Sequence, residues 1–478
     1  MKTLLISVFD SNMVRNILRT DVLSTLAQDA SFGKIILLVH PLKLEEYRKE
    51  FGSDTILLDS YPSNLPSKAE LFTWFLVRHS IHTKNVRAKI DELYYNAGGG
   101  WLMRLAKHLV ARAIFEMTLI PVIDRMVRAL TKMAHPGTVF DAILDRYKPD
   151  LVFLPTIFAT NDVRLLTRCK KRSIPTIGMI KSWDNLIGKD PLLVWPDRLI
   201  VHNDLVKDYA VSMHRYPEDR IFVSGVPQMD IYADPSFPFS REEFFRTLGL
   251  DPEKKLIVYA AVGKLISFHE FDTIRMLADL VVSNKLECPS QLLVRLHPAY
   301  PSDEAKLGAL PGVTIVRPGT EGMERNPLRF DFEFRHDETR DLATTMDVAD
   351  VVIQSGSTMA IDAACFDTPI ISLGLDGYQE DEKQERSARR LLVKDHFKRI
   401  LDTGGAPAVY THKELVTLLN LYLADPSLDH EGRMRIVREQ CFKLDGKSGK
   451  RIAHYISSFA RLLPGSSTGT TERASIHI

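Results

Sequence analysis

The residue types best suited to group transfer stand where short apolar runs end. Gln291–Pro298 (QLLVRLHP) closes such a run with Arg295 and His297 on either side of Leu296, an alternation that turns both to one side of a strand. A fixed cation beside an imidazole can stabilise developing negative charge. Asp350–Ser372 (DVVIQSGSTMAIDAACFDTPIIS) runs from an apolar strand into Ser355, Gly356, Ser357 and Thr358, then into a small-residue helix carrying Asp362. Glycine permits close backbone approach, and hydroxyls with the N–H groups of a helix start can hold phosphate oxygens. Asp362, one turn on, could accept from a sugar diol. Helix capping is the structural alternative for the Ser/Thr residues. Gly263-Lys264, after Leu256–Ala260, adds a further diphosphate contact. In the first half, Asp10–Asn16 (DSNMVRN) and Lys181–Asn185 (KSWDN) also follow apolar runs. Asp10 and Asp184 are candidate bases. Arg15, Asn16, Trp183 and Asn185 are candidate acceptor anchors. A capping role for Asp10 and core packing for Trp183 are the alternatives.

No broad field assists these groups. The 478 residues carry 62 Lys+Arg against 61 Asp+Glu, a formal net charge of +1, so any anion site is local and general nucleic-acid binding is excluded. The sequence lacks GxSxG and HExxH, and no GxGxxG follows the first apolar run, so readings as a serine hydrolase, zincin or nicotinamide-dependent dehydrogenase lose support. Asp445-Gly446-Lys447-Ser448 imitates a phosphate loop, but Cys441 stands where that motif needs its first glycine. No metal site is expected. Cys169, Cys288, Cys365 and Cys441 are widely spaced, which predicts a reducing, cytoplasmic setting. The apolar-rich run Thr3–Phe9 is too short for a secretory leader and predicts a buried strand.

The elements that must position these residues are short apolar runs alternating with helical patterns. Runs at Thr3–Phe9, Ile35–Val39, Thr55–Leu58, Leu151–Leu154, Thr176–Ile180, Arg198–Val201 and Ile221–Val223 predict one parallel sheet. Leu256–Ala260, Leu292–Leu296, Val313–Val316, Val351–Ile353 and Pro369–Ser372 predict a second. Tyr232–Arg241 (YADPSFPFSR) suits a linker. The expected class is α/β: two doubly wound, Rossmann-like domains facing across a cleft. The boundaries are 1–232, with a helical insertion at about 68–134 broken once at Gly98-Gly99-Gly100, and 233–463, followed by a disordered tail, 464–478. Within the insertion, Trp101–Met133 interleaves basic and apolar residues. It is expected to pack on its own sheet, with a membrane-surface contact as the minority reading.

The order of these motifs resembles that of GT-B glycosyltransferases of surface-polysaccharide type, and most of all CDP-glycerol glycerophosphotransferase-like proteins. The resemblance rests on Arg15-Asn16, Ser182–Asn185, Gly225-Val226-Pro227 with Asp230, Arg295 and His297-Pro298, Ser355–Asp362, His396–Leu401, Asp425-Pro426, Asp445-Gly446 and Arg451-Ile452. It implies that His297 and Ser355–Thr358 contact a nucleotide diphosphate and that Asp362 holds the ribose. The expected activity is metal-independent transfer of a sugar or polyol phosphate from a nucleotide-activated donor, UDP- or CDP-linked, to a surface-glycan or lipid-linked acceptor. No cofactor is expected, and the expected location is cytoplasmic or peripheral at the inner membrane face. The alternatives are a non-hydrolysing UDP-sugar 2-epimerase and a non-catalytic nucleotide-binding scaffold of polysaccharide assembly.

Overall fold

The computed structural model describes residues 1–62, 64–96, 99–189, 191–263, 267, 269–283, 285–298, 310–318, 338–378 and 386–464. Seven strands, Lys2–Ser7 (β1), Phe32–Val39 (β2), Ile56–Ser60 (β3), Leu151–Leu154 (β4), Thr176–Met179 (β5), Arg198–Val201 (β6) and Ile221–Val223 (β7), form one sheet in the order β3-β2-β1-β4-β5-β6-β7. Every pairing is parallel. Six more, Lys255–Ala260 (β8), Ser290–Arg295 (β9), Val313–Val316 (β10), Val351–Gln354 (β11), Ile370–Leu373 (β12) and Ala408–Val409 (β13), form a second all-parallel sheet in the order β10-β9-β8-β11-β12-β13. Parallel neighbours need crossovers, and helix-length segments separate these strands in the sequence. Helices on both faces explain why β4, β5 and β9 are buried along their whole length. The sequence reading missed only β13, whose two residues are too few to show a period.

The chain divides into two compact units. One holds Met1–Ile90, Leu105–Asp230 and the chain from Cys441; the other holds Asp91–Arg104 and Ile231–Gln440. The helix Ser448–Leu462 therefore belongs with the first sheet, whereas the sequence reading ran the second domain to 463. The reason is its apolar stripe: Ile452, Ala453, Ile456, Phe459 and Ala460 are buried in the core with Val22, Leu23 and Leu26. Phe222 stacks on Tyr455 at 4.3 Å. Asp230 receives the helix start, accepting from the N–H groups of Ser448 at 2.9 Å and Gly449 at 2.7 Å. Arg451 donates to the Ser224 carbonyl at 2.7 Å and to Asp445 at 2.8 Å. Gly225 has φ +88°, and a Cβ there would stand 2.4 Å from the Ser448 hydroxyl, so the close approach needs glycine. Three stretches of the resemblance, at 225–230, 445–446 and 451–452, thus dock the last helix. The Asp445–Ser448 loop leads into that helix, as its failed phosphate-loop spacing suggested. The tail after Pro464 lies outside the described residues.

The insertion is helical, but it breaks three times rather than once, into Lys68–Arg78, Lys84–Asn96, Trp101–Met117 and Pro121–Ala134. Trp101–Met133 is two helices because Pro121 lacks the N–H that would continue the first. Ser67 and Glu70 form a reciprocal cap at the first helix, and buried Glu70 takes a bidentate pair from Arg164 at 2.6 and 2.7 Å. That pair ties the insertion to the helix Thr160–Lys171, which follows β4. The expected linker is also ordered: Phe239 donates its N–H to Thr344, and Arg340 donates to the Phe237 carbonyl at 2.6 Å while lying over the Phe239 ring.

Removing the Asp230 carboxylate leaves two helix-start N–H groups without their acceptor. Asp230→Ala is expected to cost about 2 kcal/mol, read as a lowered urea midpoint. An unchanged midpoint would mean that water replaces the carboxylate without loss.

Candidate functional site

In each sheet the strand order reverses once, and ligands of open α/β sheets bind outside the carboxyl ends of the strands at such a reversal. In the first unit the reversal lies between β1 and β4, in the second between β8 and β11. Most of the residues singled out in the sequence stand on the loops at these carboxyl ends.

In the second unit, Leu292, Val294 and Leu296 enter the core with residues of the helices Glu270–Val282 and His412–Ala424. Strand alternation then turns Arg295 and His297 to the other side. Arg295 is buried. Burial pushes its guanidinium below its usual value, while the nearby carboxylates of Glu338, Asp341 and Asp362 pull it upward. Its charge is thus set against acids of the protein itself. Asp362, also buried, accepts the Tyr232 hydroxyl at 2.9 Å. His297 is half-buried, and burial pushes its imidazole down to about 4, so it is neutral at pH 7. It offers a hydrogen bond rather than a charge.

The turn after β11 is held from beneath by buried Gln354, whose Oε1 accepts the Ser357 N–H at 2.8 Å and whose amide donates to Ser372 at 2.9 Å. The Ser355 hydroxyl donates to the Leu373 carbonyl at 2.9 Å. Gly356 has φ +70°, and a Cβ there would meet the Leu391 Cβ at 2.8 Å. Thr358 is exposed at the tip, and among the described residues no hydrogen bond engages its hydroxyl. After β8, Gly263 donates its N–H to buried Glu270 at 2.7 Å. Lys264 lies outside the described residues. The structure thus gathers Arg295, Asp362 and Tyr232 into one charged cluster. Among the described residues it leaves His297, Ser357 and Thr358 partly or fully exposed at this edge, the Ser357 hydroxyl accepting the Met359 N–H at 3.3 Å.

In the first unit, the loop after β1 carries Asp10. One of its oxygens accepts from the Asn12 N–H at 2.9 Å and the Asn12 amide at 2.7 Å; the other pairs with Lys181, which follows β5. Burial pushes this carboxyl up, but the charge and hydrogen bond of Lys181 and the bonds from Asn12 prevail and hold it below its ordinary value. Asp162 near the start of the helix after β4 is fully buried. Burial, and secondarily the charge of Asp10, push it up to about 8. Its Oδ2 accepts the Ala159 N–H at 2.9 Å; Oδ1, with Thr156 close by, has no hydrogen bond among the described residues. Buried Tyr61 feels both carboxylates, and its phenol is pushed up by burial and then by those charges. Two carboxyls and one ammonium thus share a buried edge as one ion pair and one neutral acid. Asp184 accepts from the Ser182 hydroxyl at 2.8 Å. Asn185 is buried, with its Oδ1 unbonded among the described residues. Arg15 donates to Asn16 at 3.0 Å, and Trp183 is half-buried beside Asp184.

Sequence reasoning missed Asp162, Tyr61, Gln354 and Tyr232. Asp162, at the third position of a helix, has the signature of a capping acid, and only its burial beside Asp10 sets it apart. Among the described residues no cluster of His, Cys, Asp and Glu is arranged to hold a metal ion.

Two Rossmann-like units with these topologies define the GT-B type of fold. Solved structures agree. MnaA of S. aureus, in a structure with UDP, superposes with a TM-score of 0.55 over 98% of this chain and 100% of its own at 12% identity. The UDP-GlcNAc 2-epimerase of Neisseria meningitidis, bound to UDP-GlcNAc, gives 0.53 over 96% and 100% at 10% identity. At such identities the likeness is one of fold. Residues 193–458, more than half of the chain, match the family CDP-Glycerol:Poly(glycerophosphate) glycerophosphotransferase, and the chain belongs to that family. No curated protein matches the chain.

The Asp162 carboxyl titrates near 8 in the fold and near 3.9 when unfolded. Its burial therefore favours folding below about pH 4, and that contribution is lost as pH rises toward 8. Asp162→Asn keeps the shape and removes the proton. It is expected to raise stability by about 2 kcal/mol or more at pH 8 relative to pH 5, measured by urea unfolding at both values. A gain equal at the two pH values would contradict the assignment.

Proposed function

We propose that this chain transfers a glycerol phosphate unit from CDP-glycerol to the terminal hydroxyl of a poly(glycerophosphate) or lipid-linked acceptor. The family to which residues 193–458 belong supports the donor and acceptor. The observation that carries the chemistry is the ionised Asp10, held by Lys181 at the strand-order reversal of the first sheet. A carboxylate there accepts a hydrogen bond from an incoming hydroxyl and orients its lone pair. The Asn185 Oδ1, without a hydrogen bond among the described residues, is a further acceptor on the loop after β5.

In the reaction, the acceptor oxygen bonds to the phosphorus that bears glycerol. The bond from that phosphorus to the bridging oxygen breaks, and cytidine monophosphate leaves with the electron pair. The acceptor proton passes to Asp10 or, through it, to solvent. Asp10 is a weak base in the ground state, so its main contribution is positioning, and proton transfer becomes favourable as the attacking oxygen gains positive character. On the donor side, the neutral His297, the Thr358 hydroxyl and the Gly263-Lys264 pair are the groups assigned to the pyrophosphate, with His297 donating one hydrogen bond to an oxygen that gains charge. Arg295 serves mainly to balance Asp362, Asp341 and Glu338, and acts on the donor through them.

Transfer of a sugar from the same fold would release a nucleoside diphosphate instead. The released nucleotide therefore decides between the two chemistries. Incubation with CDP-glycerol and a glycerol phosphate oligomer is expected to yield CMP and a lengthened oligomer. Release of CDP or UDP from sugar donors, with no CMP from CDP-glycerol, would replace this reading with glycosyl transfer. Asp10→Asn is expected to lower kcat by about 10²-fold or more with a smaller change in KM, in a protein whose thermal transition is retained; full activity would remove Asp10 from the reaction.

A further inference from the structure

A helix that follows a parallel strand runs back toward the strand starts, so its last turn lies at the amino edge of the sheet. At that edge of the first sheet, opposite the one that carries Asp10, is a groove of about 620 Å³. It is lined by the ends of the helices Pro121–Ala134 and Thr160–Lys171 and by the residues just before β6. Met133, Val194 and Trp195 give it apolar surface, Lys132, Lys170 and Lys171 give it charge, and Thr167 gives it a hydroxyl.

Two kinds of group here have no partner within the fold. Thr167 is only 7% exposed, and its hydroxyl makes no hydrogen bond among the described residues. A buried hydroxyl costs stability unless something bonds it. Lys132 and Lys171 form no ion pair among the described residues, whereas their neighbours do. Lys170 holds Asp197 at 2.5 Å, Arg128 holds Asp124 at 2.9 Å, and Arg168 and Arg172 share Asp141. Neither lysine is needed as a helix cap. The last carbonyls of Thr160–Lys171 accept from the N–H groups of Arg172, Ser173 and Ile174, and the Lys132 carbonyl accepts from that of His135.

Uncompensated cations on two separate helices, together with apolar side chains and one unbonded hydroxyl, match a flexible chain that repeats anion, carbon stem and hydroxyl. A nucleotide fits less well. Among the described residues no carboxylate lines the groove to take a ribose diol, and nearby Asp197 is occupied by Lys170 and by the Thr176 N–H and hydroxyl, both at 2.8 Å. The four-residue strands β5 and β6 alone put roughly 13 Å between the two edges, more than one glycerol phosphate unit spans.

We propose that this groove is a second acceptor site, which holds a phosphodiester-linked polyol chain several units behind the end that reacts beside Asp10. The identity of that chain rests on the transfer reading above. The test is the acceptor-length dependence of CMP release from CDP-glycerol in lipid-free buffer. An oligomer of about ten units is expected to show a KM about tenfold below that of a dimer, at similar kcat. Lys132→Glu with Lys171→Glu should remove that advantage and leave kcat and the KM of the dimer unchanged. Both side chains are exposed, so the thermal transition should be retained. Thr167→Val deletes an unbonded hydroxyl and should not lower the thermal transition, yet it should weaken the long oligomer about threefold. Calorimetry of the long oligomer with the full chain reads binding without turnover. Absence of CMP with every acceptor counts against the transfer reading, while binding that the two lysine substitutions weaken upholds the groove. The groove is overturned by a KM independent of length, by a length dependence that survives the substitutions, or by calorimetric binding that is absent or indifferent to them. Inorganic phosphate binding as tightly as the oligomer, or phosphatidylglycerol vesicles binding through these lysines where the oligomer does not, would overturn it equally.

Discussion

Neighbouring parallel strands must be joined by crossovers that leave the sheet at one end and re-enter at the other, so all strands of a sheet deliver their carboxyl ends to one edge. Everything chemical about this chain follows from that constraint. Asp10, Lys181 and the KSWDN stretch are far apart in sequence, yet all follow strands of the first sheet and reach its carboxyl edge. Gly263, His297 and Ser355–Thr358 do the same in the second. Each sheet reverses its strand order once, and the reversal parts the loops on either side. The crevice is thus a property of topology before it is a property of any side chain.

What the side chains add is a division of charge. On the first edge, two carboxyls share one ammonium, and burial resolves the excess by keeping Asp162 neutral and Asp10 ionised. This is the general behaviour of coupled acids in a poorly solvated place: one takes the available cation and the other takes a proton. On the second edge, the balance is inverted. Arg295 is buried near the carboxylates of Glu338, Asp341 and Asp362, and burial holds the His297 imidazole down to about 4, in its neutral form at pH 7.

Local sequence patterns that signal a family do not all signal a site. Gly225, Asp230, Asp445 and Arg451 belong to the recognisable series, and their geometry shows them clamping the last helix onto the first sheet. Such residues constrain a chain as tightly as catalytic ones do, because a helix start brought within 3 Å of a carboxylate tolerates neither a longer side chain nor a missing one. Ser355–Thr358 is intermediate. Gln354 and Leu391 impose the shape of that turn, and Thr358 stands exposed at its tip.

From the sequence alone came twelve of the thirteen strands among the described residues, the two-sheet plan and the loops that could bear chemistry, because buried parallel strands announce themselves as short apolar runs and nothing beyond neighbouring residues is needed to see them. Tertiary structure alone decided three things. The final helix returned to the first sheet, since an amphipathic stripe specifies that it must be covered but not by what. Arg295 was buried near acids of the protein itself, which come from helices beginning at 338 and 359. Asp162 became a buried neutral acid, since protonation depends on which groups are packed within a few ångströms, and that distance is set by folding rather than by order along the chain.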